Sequence, residues 1–450
     1  MRTLVIHTGS EHPALQYTLD FIRQHPLTRE AGWLVAREPG TDASEIQLFY
    51  GAPLPENDDH FFIPAQGLCF GEPSVTRPLF ANPYSFQDIS VFSVEDYRQD
   101  NSRPLLQGNH FQFDLLEMIF FHISRYEEVF ATAGQLNSSG WLAEEQHFLI
   151  RHQLQRQPVV DCLLACFWSA IQGQPVHLPT TYSLSHDIDF LYRYPTTVKL
   201  LRALAGAFVR GEGVSGLRYH WQRYRAIRRN QQPDPYDCFD WLLAPGTGWD
   251  KKTLYLMAGG ETPYDNHYRI DDPRIRSLIG LARNRDYQLG LHPSYNAAFK
   301  PALFREEQAK LEQVYGKSVH NNRQHWLRWD WPTTPYIYGL QHIREDASMG
   351  YRHHLGFRAG TGFPYRLYDY QSQKAFDWRE RPLALMDSAA LHEADHTGID
   401  PVALLNDFLQ QNTGNSHISI NFHNSNFDPA LPHGQALADF YRRTILHLAG

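Results

Sequence analysis

Short apolar runs alternate with helical segments over the C-terminal part of the chain, from residue 181 onward. Each apolar run has the length of a buried strand. The six strand candidates are TYSLSHDID (181–189), TLYLMA (253–258), YQLGLHPS (287–294), HWLRW (325–329), PLALMDSA (382–389) and HISINFHN (417–424). The clearest helical segments between them are RIRSLIGLARNRD (274–286) and PALFREEQAKLEQVYG (301–316). This alternation predicts an α/β architecture with a parallel sheet, and it favours a barrel.

The first 135 residues are interpreted as one separate unit. The strand candidates are TLVIH (3–7), EIQLFYG (45–51) and FFIPAQGLCFG (61–71). DLLEMIFFHISRYEEVF (114–130) has apolar residues at helical spacing and begins with an Asp. We therefore predict a smaller N-terminal α/β domain over residues 1–135. It offers no convergent catalytic set, so its role stays open.

Two further changes of pattern set the remaining boundaries. A Gly/Ser-rich turn followed by the apolar helix VVDCLLACFWSAI marks residues 136–180 as a helical connector that packs on the second domain. That second domain covers residues 181–450. Residues 195–250 interrupt its alternation as a helical insertion whose second helix is rich in Arg. This helix is either a lid or contact for an acidic substrate, or an ordinary solvated helix face.

Composition narrows the class of protein and of partner. The 450 residues are 42% hydrophobic and 14% aromatic, enough for roughly two or three packed domains. No apolar run approaches the ~18 residues of a membrane span, and the N-terminal segment has no secretory pattern, so we expect a cytoplasmic protein. The net charge of −8 disfavours a nucleic-acid partner. The oligomeric state is not indicated.

Asp187 and Asp189 of SHDIDF (185–190) end the first strand candidate of the second domain. Residues two apart on a strand point to the same side. Two carboxylates on one side repel each other unless a cation or a basic side chain separates them. The pair therefore suits one metal ligand and one general base, although two solvated Asp residues at a turn would give the same pattern.

Two histidines end other strand candidates. His292 of GLHPSYN (290–296) could offer a neutral imidazole to a divalent cation. His423 of INFHNSNF (420–427) would face the same rim as Asp187 if the sheet is parallel, and in its protonated form it could donate to a leaving group. Either histidine, taken alone, is more often a surface residue.

The order of these motifs resembles that of the polysaccharide deacetylase family, also called NodB-homology domains or family-4 carbohydrate esterases. The matching segments are SHDIDF, HPSYN in part, GFRAGTGFPY (356–365), LMDSA (385–389) and INFH (420–423). The chain looks more closely like a bacterial subgroup with an uncharacterised N-terminal domain. The segments that carry this second resemblance are SRYEE (124–128), RQHWLR (323–328), DASMGY (346–351) and FRAGT (357–361).

The resemblance implies a distorted (β/α) barrel of the NodB type, a divalent metal, most simply Zn²⁺, and removal of an acetyl group from an amino sugar. By motif position it implies these roles: Asp187 as general base, Asp189 and His292 as metal ligands, Arg358 orienting Asp187, His423 as general acid, and Asp387 orienting His423.

One position departs from the family pattern. The family's second metal histidine lies four residues after the first, and Asn296 stands there in this chain. An amide oxygen is a poorer zinc ligand than imidazole. Asn296 could be a weak ligand, His325 could replace it from a neighbouring strand, or the metal could be absent. We favour His325 over Asn296, while a packed core histidine remains the alternative reading of His325.

These observations lead to one main hypothesis and two alternatives. The main one is a metal-dependent hydrolase of carbohydrate metabolism that deacetylates an N-acetylated amino sugar or a related amide. The first alternative is a catalytically impaired NodB-like domain that binds a glycan or a partner, a hypothesis supported by Asn296. The second is a hydrolase of another C–N bond on the same scaffold.

Overall fold

A computed structural model describes residues 2–36, 45–51, 60–70, 78–194, 197–209, 211, 213–265 and 268–449. The fold is mixed α/β and contains an eight-stranded parallel sheet, which is consistent with an α/β barrel. None of the helices in the described ranges is long and apolar enough to cross a membrane.

The chain divides into two compact units. Unit 1 comprises residues 1–183, 326–399 and 403–420, and unit 2 comprises residues 184–325, 400–402 and 421–450. These units differ from the predicted domains, because residues 326–399 cluster with the N-terminal part of the chain. Residues 195, 196, 210 and 212 of the predicted insertion lie outside the described residues.

The N-terminal part of unit 1 is built on a six-stranded sheet. Its strand Arg2–Thr8 pairs in parallel with Trp33–Ala36 and with Glu45–Tyr50, and Glu45–Tyr50 continues in parallel to Phe61–Ile63. The strands His110–Phe111 and then Leu106–Gln107 complete the sheet beyond Phe61–Ile63. The three predicted N-terminal strands are confirmed, although the third stops at Ile63. A second sheet contains Ile89–Glu95, Phe80–Phe86 and Arg103–Pro104.

The helix predicted over residues 114–130 is divided into Leu115–Ile123 and Tyr126–Val129. The Asp114 side chain caps the first of these helices by accepting from the amides of Leu116 and Glu117. Arg125 separates the two helices with a φ of 57°, a left-handed conformation that is uncommon for residues other than Gly.

The helix Val159–Gln172, predicted as part of the connector, packs on N-terminal elements of unit 1. Trp168 Nε1 donates to Thr28 Oγ1 at 2.9 Å, and the Trp168 ring stacks on Trp33. The other helices of unit 1 include Pro13–Gln24, Pro26–Glu30, Phe148–Arg151, Thr334–Leu340 and Asp387–Thr397. Its later short strands are Glu345–Asp346, Tyr368–Asp369, Lys374–Ala375, Arg379–Glu380 and Leu385–Met386.

Unit 2 contains the strands that carry the candidate site. Lys251–Leu256 pairs in parallel with Gln288–Leu291, and this strand pairs in parallel with Asn321–Asn322. The unit 2 portion of Thr181–Ile188 lies on the other side of Lys251–Leu256, followed by that of His417–His423. The helices of unit 2 include Thr197–Val209, Gly213–Arg228, Phe239–Leu242, Pro273–Asn284, Pro301–Tyr315 and Gly434–Arg443.

The pairing extends one residue beyond two of these strands. The amide of His292 donates to the Leu256 carbonyl at 2.9 Å, and the amide of Arg323 donates to the Leu291 carbonyl at 3.0 Å. Because the strands are parallel, their carboxyl ends meet at one edge of the sheet. The residues that follow the strands are therefore gathered there.

Two strand predictions in the C-terminal part need correction. HWLRW is not a strand: His325–Leu327 is a 3₁₀ turn in which Trp326 and Leu327 have φ values of 61° and 49°. A strand cannot contain two consecutive left-handed residues. PLALMDSA is a strand only at Leu385–Met386, and the helix Asp387–Thr397 begins directly after it.

Candidate metal centre

Asp187 is a buried carboxylate held by an arginine and an amide. Arg323 Nη1 donates to Asp187 Oδ1 at 3.0 Å, and Asn421 Nδ2 donates to Asp187 Oδ2 at 3.0 Å. Arg323 Nη1 also lies 2.6 Å from Asn421 Oδ1 and 2.8 Å from Ser185 Oγ. Arg323 and Asn421 therefore fix both oxygens of Asp187 in one orientation, and Ser185 contributes through its bond to Arg323.

The charge of Asp187 follows from these neighbours. Burial raises the pKa of this carboxyl, but Arg323, together with His292 and His423, lowers the pKa by more, so that it lies below the ordinary value. Asp187 is consequently ionised near neutral pH.

A glycine in the neighbouring strand determines where Arg323 lies. The guanidinium carbon of Arg323 is 4.5 Å from the centre of the Tyr255 ring, a distance typical of a cation–π contact. That ring crosses Gly290 so closely that a Cβ on Gly290 would lie 2.4 Å from Tyr255 Cδ1. The absence of a side chain at residue 290 therefore allows Tyr255 to support Arg323.

Asp189, His292 and His325 form a cluster with the geometry of a cation site. Asp189 Oδ1 lies 3.3 Å from His292 Nε2, and Asp189 Oδ2 lies 3.9 Å from His325 Nε2. One ligand atom from each of the three residues can be chosen so that all lie within 4.8 Å of one another. Two ligands at about 2.1 Å from a tetrahedral ion are themselves about 3.4 Å apart. The cluster therefore needs only a small contraction to bind such an ion.

The hydrogen bonds of His292 leave one nitrogen directed at the cluster. Its Nδ1 lies 2.7 Å from the carbonyl oxygen of Arg323, and a carbonyl can only accept, so Nδ1 carries the proton. Nε2 then faces Asp189 Oδ1. This oxygen is buried and makes no hydrogen bond with any of the described residues. A lone pair facing an ionised carboxylate requires a cation or a proton between them. The neighbouring carboxylates accordingly outweigh burial and raise the pKa of His292.

His325 is oriented by a second carboxylate. Its Nδ1 lies 3.5 Å from Asp265 Oδ1, which leaves Nε2 for Asp189. Asp265 is itself anchored by the amide of Tyr295 and by the amide and hydroxyl of Thr262. Burial raises the pKa of Asp265, but the adjacent His325 and these donors lower it by more. A carboxylate behind a metal-ligating histidine is a common arrangement that fixes the ring.

His423 completes the group at the sheet edge. Its Nε2 lies 3.7 Å from Asp187 Oδ2 and 3.9 Å from Asp189 Oδ2. The structure thus brings His423 beside both carboxylates, as the parallel sheet predicts. His186, directly before Asp187 in the sequence, faces the other way: its Nδ1 lies 3.2 Å from the Phe422 carbonyl, and burial lowers its pKa to about 3.

Arg358 makes contacts other than the predicted one. It was expected to orient Asp187, but its Nε and Nη2 donate to Glu128 at 2.9 and 2.8 Å, and its Nη1 donates to the Gly350 carbonyl. Arg125 donates to the same Glu128. The guanidinium on Asp187 is that of Arg323, so the assignment moves from Arg358 to Arg323.

The remaining predicted residues are Asp387 and Asn296. Asp387 is fully buried at the start of helix Asp387–Thr397, where its Oδ1 accepts from the Ser388 amide; its role toward His423 stays a prediction. Asn296 is half-buried and precedes the 3₁₀ turn Ala297–Phe299. The acid–histidine cluster takes His325 as its third member, the alternative that the sequence favoured.

Three residues of the site were not assigned from the sequence. Arg323 stands in the RQHWLR segment, in which a role was predicted only for His325. Asn421 lies two residues before His423 on one strand, so the period of two could have identified it. Asp265 lies in a loop outside the regular elements, where no periodic signal exists.

Comparisons with known proteins give limited matches. The model of a family of unknown function, DUF7033, matches residues 4–175, which is less than half of the chain. None of the curated proteins matches. Among solved structures, one is described as "putative polysaccharide deacetylase from Mycobacterium smegmatis". Its alignment covers 60% of this chain and 85% of the other chain, with 15% sequence identity and a TM-score of 0.32.

Proposed function

We propose that the chain is a metal-dependent hydrolase that removes an acetyl group from an N-acetylated amino sugar or a related amide. The observation that carries this proposal is the cluster of half-buried Asp189 with buried His292 and His325, with a second, ionised carboxylate and a histidine beside it. The motif resemblance to polysaccharide deacetylases supplies the substrate class and the NodB type of barrel, and both belong to the proposal.

The three ligands suit Zn²⁺, which binds imidazole and carboxylate at ordinary cation distances. A divalent cation in the cluster would supply Lewis-acid chemistry, activating a water molecule and polarising an acyl oxygen. The protein must hold a carboxylate oxygen of Asp189 close to the Nε2 atoms of His292 and His325. The Arg323 carbonyl accepts from Nδ1 of His292, and Asp265 faces Nδ1 of His325, so both rings turn Nε2 toward Asp189.

Asp187 is the proposed general base. Arg323 donates to its Oδ1 and Asn421 donates to its Oδ2. Each carboxylate oxygen can accept more than one hydrogen bond. Oδ2 therefore keeps a lone pair for the proton that the attacking water loses. Arg323 holds the carboxylate ionised until that proton arrives.

His423 is the proposed general acid. When water adds to the amide carbonyl and the C–N bond breaks, the nitrogen must take up a proton, because an amine anion is a very poor leaving group. His423 Nε2 lies beside the base, 3.7 Å from Asp187 Oδ2. Asp187 thus receives a proton from water and His423 gives one to nitrogen, and the products are acetate and the amine.

The runner-up is a catalytically impaired domain that binds a glycan or a partner. Asn296, at the position of the family histidine, is the observation in its favour. His325 beside Asp189 counts against it, since this imidazole can provide the missing nitrogen. Hydrolysis of a different C–N bond would use the same groups and differs only in substrate.

Metal content and acetate release together test the proposal. Purified protein supplemented with Zn²⁺ is expected to hold about one ion per chain, measured by inductively coupled plasma mass spectrometry, and to release acetate from N-acetylglucosamine oligomers. Asp189→Ala, His292→Ala and His325→Ala should each lose the metal. His396→Ala, which removes an exposed histidine, and Asn296→Ala should retain it.

The variants of the base separate the possible outcomes. Asp187→Asn should abolish acetate release while leaving the metal content nearly unchanged. Protein that takes up no metal after supplementation would overturn the hydrolase proposal. A metal-loaded protein inactive on every acetylated amino sugar would instead move the proposal to another C–N bond.

A further inference from the structure

The predicted insertion contains a helical hairpin, Thr197–Val209 and Gly213–Arg228, which differs from the rest of the chain in its charge. Residues 197–230 contain eight Lys or Arg and a single Glu, which gives the segment a net charge of +7. The whole chain carries −8. The remaining residues therefore carry −15, and the hairpin is a concentrated basic element on an acidic protein.

The hairpin has a small core of its own. Leu200 and Ala203 are buried with Tyr194, and Leu204, Tyr224 and Ile227 pack against them. The Tyr194 hydroxyl lies 2.7 Å from His220 Nδ1, which links the helices to the chain before them. The core is on one face of each helix, and Trp221 and Arg228 of the second helix reach only its edge, at the Tyr224 ring.

The first helix carries a second apolar stripe that is exposed. Leu201, Ala205 and Phe208 are spaced i, i+4 and i+7, which places them on one face. Phe208 is 73% exposed, and Val209 and Val214, on either side of the turn, are 84% and 81% exposed. Of twelve large apolar side chains exposed among the described residues, five lie between 201 and 221. The hairpin thus concentrates the exposed apolar surface of the protein.

The second helix combines apolar and basic residues in one exposed stripe. Val214, Arg218, Trp221, Arg225 and Arg228 follow helical spacing, and all five are exposed. Trp and Arg on one helix face, next to exposed aliphatic side chains, are typical of helices that lie in the interface of a bilayer. An acidic polymer would satisfy the arginines but would leave the apolar stripe in water.

We propose that this hairpin docks the protein on a bilayer surface rich in anionic phospholipid. The arginines of the second helix approach the phosphate headgroups, and Phe208, Val209, Val214 and Trp221 enter the boundary between headgroups and acyl chains. Neither helix crosses the bilayer, in agreement with the length of 13 and 16 residues. The inference goes beyond the proposed hydrolase activity and does not depend on it.

Vesicle flotation of the full-length protein tests the docking. We expect binding to vesicles of phosphatidylcholine with 30% phosphatidylglycerol, as a probe composition, and weak binding to phosphatidylcholine alone. Binding should weaken as salt is raised from about 0.05 to about 0.5 M, because the Debye length shortens. A protein that does not float with the anionic vesicles at low salt would overturn the proposal.

Two variants separate the apolar from the basic contribution. Arg218→Gln/Arg225→Gln/Arg228→Gln should weaken binding on the order of 10²-fold, since each Arg contributes roughly fivefold near an anionic surface. Phe208→Ser/Val209→Ser should weaken it by about tenfold or more through lost apolar burial. All five positions are exposed, so both variants are expected to fold with the circular dichroism of the parent.

Matched controls use exposed residues outside the hairpin. Arg98→Gln/Arg103→Gln/Arg379→Gln and Leu340→Ser/Ile399→Ser change the same residue types at exposed positions and should leave binding unchanged. If the controls weaken binding as much as the hairpin variants, or if the serine variant binds normally, the proposal is wrong. Equal affinity for heparin and for vesicles would point to an acidic polymer. Dimerisation that requires the hairpin, without vesicle binding, would point to a second copy.

Discussion

Replacement of Arg323 by Gln should be strongly destabilising, because it leaves the buried carboxylate of Asp187 without its cation. The two charges are 3.0 Å apart and both side chains are almost completely buried. At an effective dielectric constant of 20, Coulomb attraction at that distance is ~5 kcal/mol. Loss of one partner of a buried pair typically costs about 3–5 kcal/mol. We therefore expect the free energy of unfolding to fall by a similar amount.

A double-mutant cycle isolates this pair from the rest of the Arg323 environment. In the Asp187→Asn background the carboxylate charge is gone, and Arg323→Gln should cost at least ~2 kcal/mol less than in the parent. The assay is urea denaturation followed by tryptophan fluorescence, performed on metal-free protein so that metal loss does not contribute.

Arg358→Gln is the matched comparison. Arg358 donates to Glu128, so its substitution should couple with Glu128→Gln. It should be additive with Asp187→Asn, because Arg358 donates to Glu128 while Asp187 accepts from Arg323. Additivity between Arg323→Gln and Asp187→Asn, within about 0.5 kcal/mol, would refute the assignment of Arg323 to Asp187.

The remaining predictions concern the support of the site and its pH dependence. Asp265→Asn should lower Zn²⁺ affinity, measured by chelator competition, by about 10–100-fold because His325 loses its orientation. Asp271→Asn, at an exposed position, should leave the affinity unchanged. Unchanged affinity in Asp265→Asn would show that Asp265 does not belong to the site. Gly290→Ala should destabilise the fold by about 1–3 kcal/mol, because the new Cβ would meet the Tyr255 ring, and Gly280→Ala, where a Cβ meets nothing within 4 Å, should be tolerated. His186 has a folded pKa of about 3, below its unfolded value of about 6.5. The unfolded chain therefore binds the proton first, so the contribution of neutral His186 to stability is complete above about pH 6.5 and is lost as the pH falls toward 3, by at most ~1.4 kcal/mol per pH unit. For His186→Phe, the free energy of unfolding plotted against pH should lose that part of its slope. An unchanged slope would show that His186 binds its proton equally in the folded and the unfolded state.

The periodic parts of the site could be predicted from the sequence. The apolar run before SHDIDF predicts a strand, and its two carboxylates share one side because the strand repeats every two residues. His292 and His423 were placed at strand ends in the same way. The parallel arrangement then brings all of them to one edge, where they are found.

The parts that depend on irregular backbone were not predictable in this way. RQHWLR has the composition of a strand, but Trp326 and Leu327 adopt left-handed conformations, which only the tertiary structure imposes. His325 was therefore predicted to lie on a strand, whereas in the structure its ring is oriented by Asp265, which lies in a loop.

The incorrect prediction that Arg358, and not Arg323, orients Asp187 has a similar origin. Both arginines lie in segments with motif character, and the sequence does not show which carboxylate each one meets. In the structure Glu128 of the SRYEE segment already binds Arg358 and Arg125. Partner choice between buried charges is a long-range property, because it depends on which elements pack together.

The central claim is that Asp189, His292 and His325 hold one divalent cation, and anomalous X-ray scattering tests it most directly. Crystals grown with Zn²⁺ and measured above and below the zinc absorption edge should show a single difference peak in unit 2. We predict a peak about 2.0–2.2 Å from a carboxylate oxygen of Asp189 and from Nε2 of both histidines. A peak bound by Asn296 without His325, or no peak between these three side chains, would contradict the account.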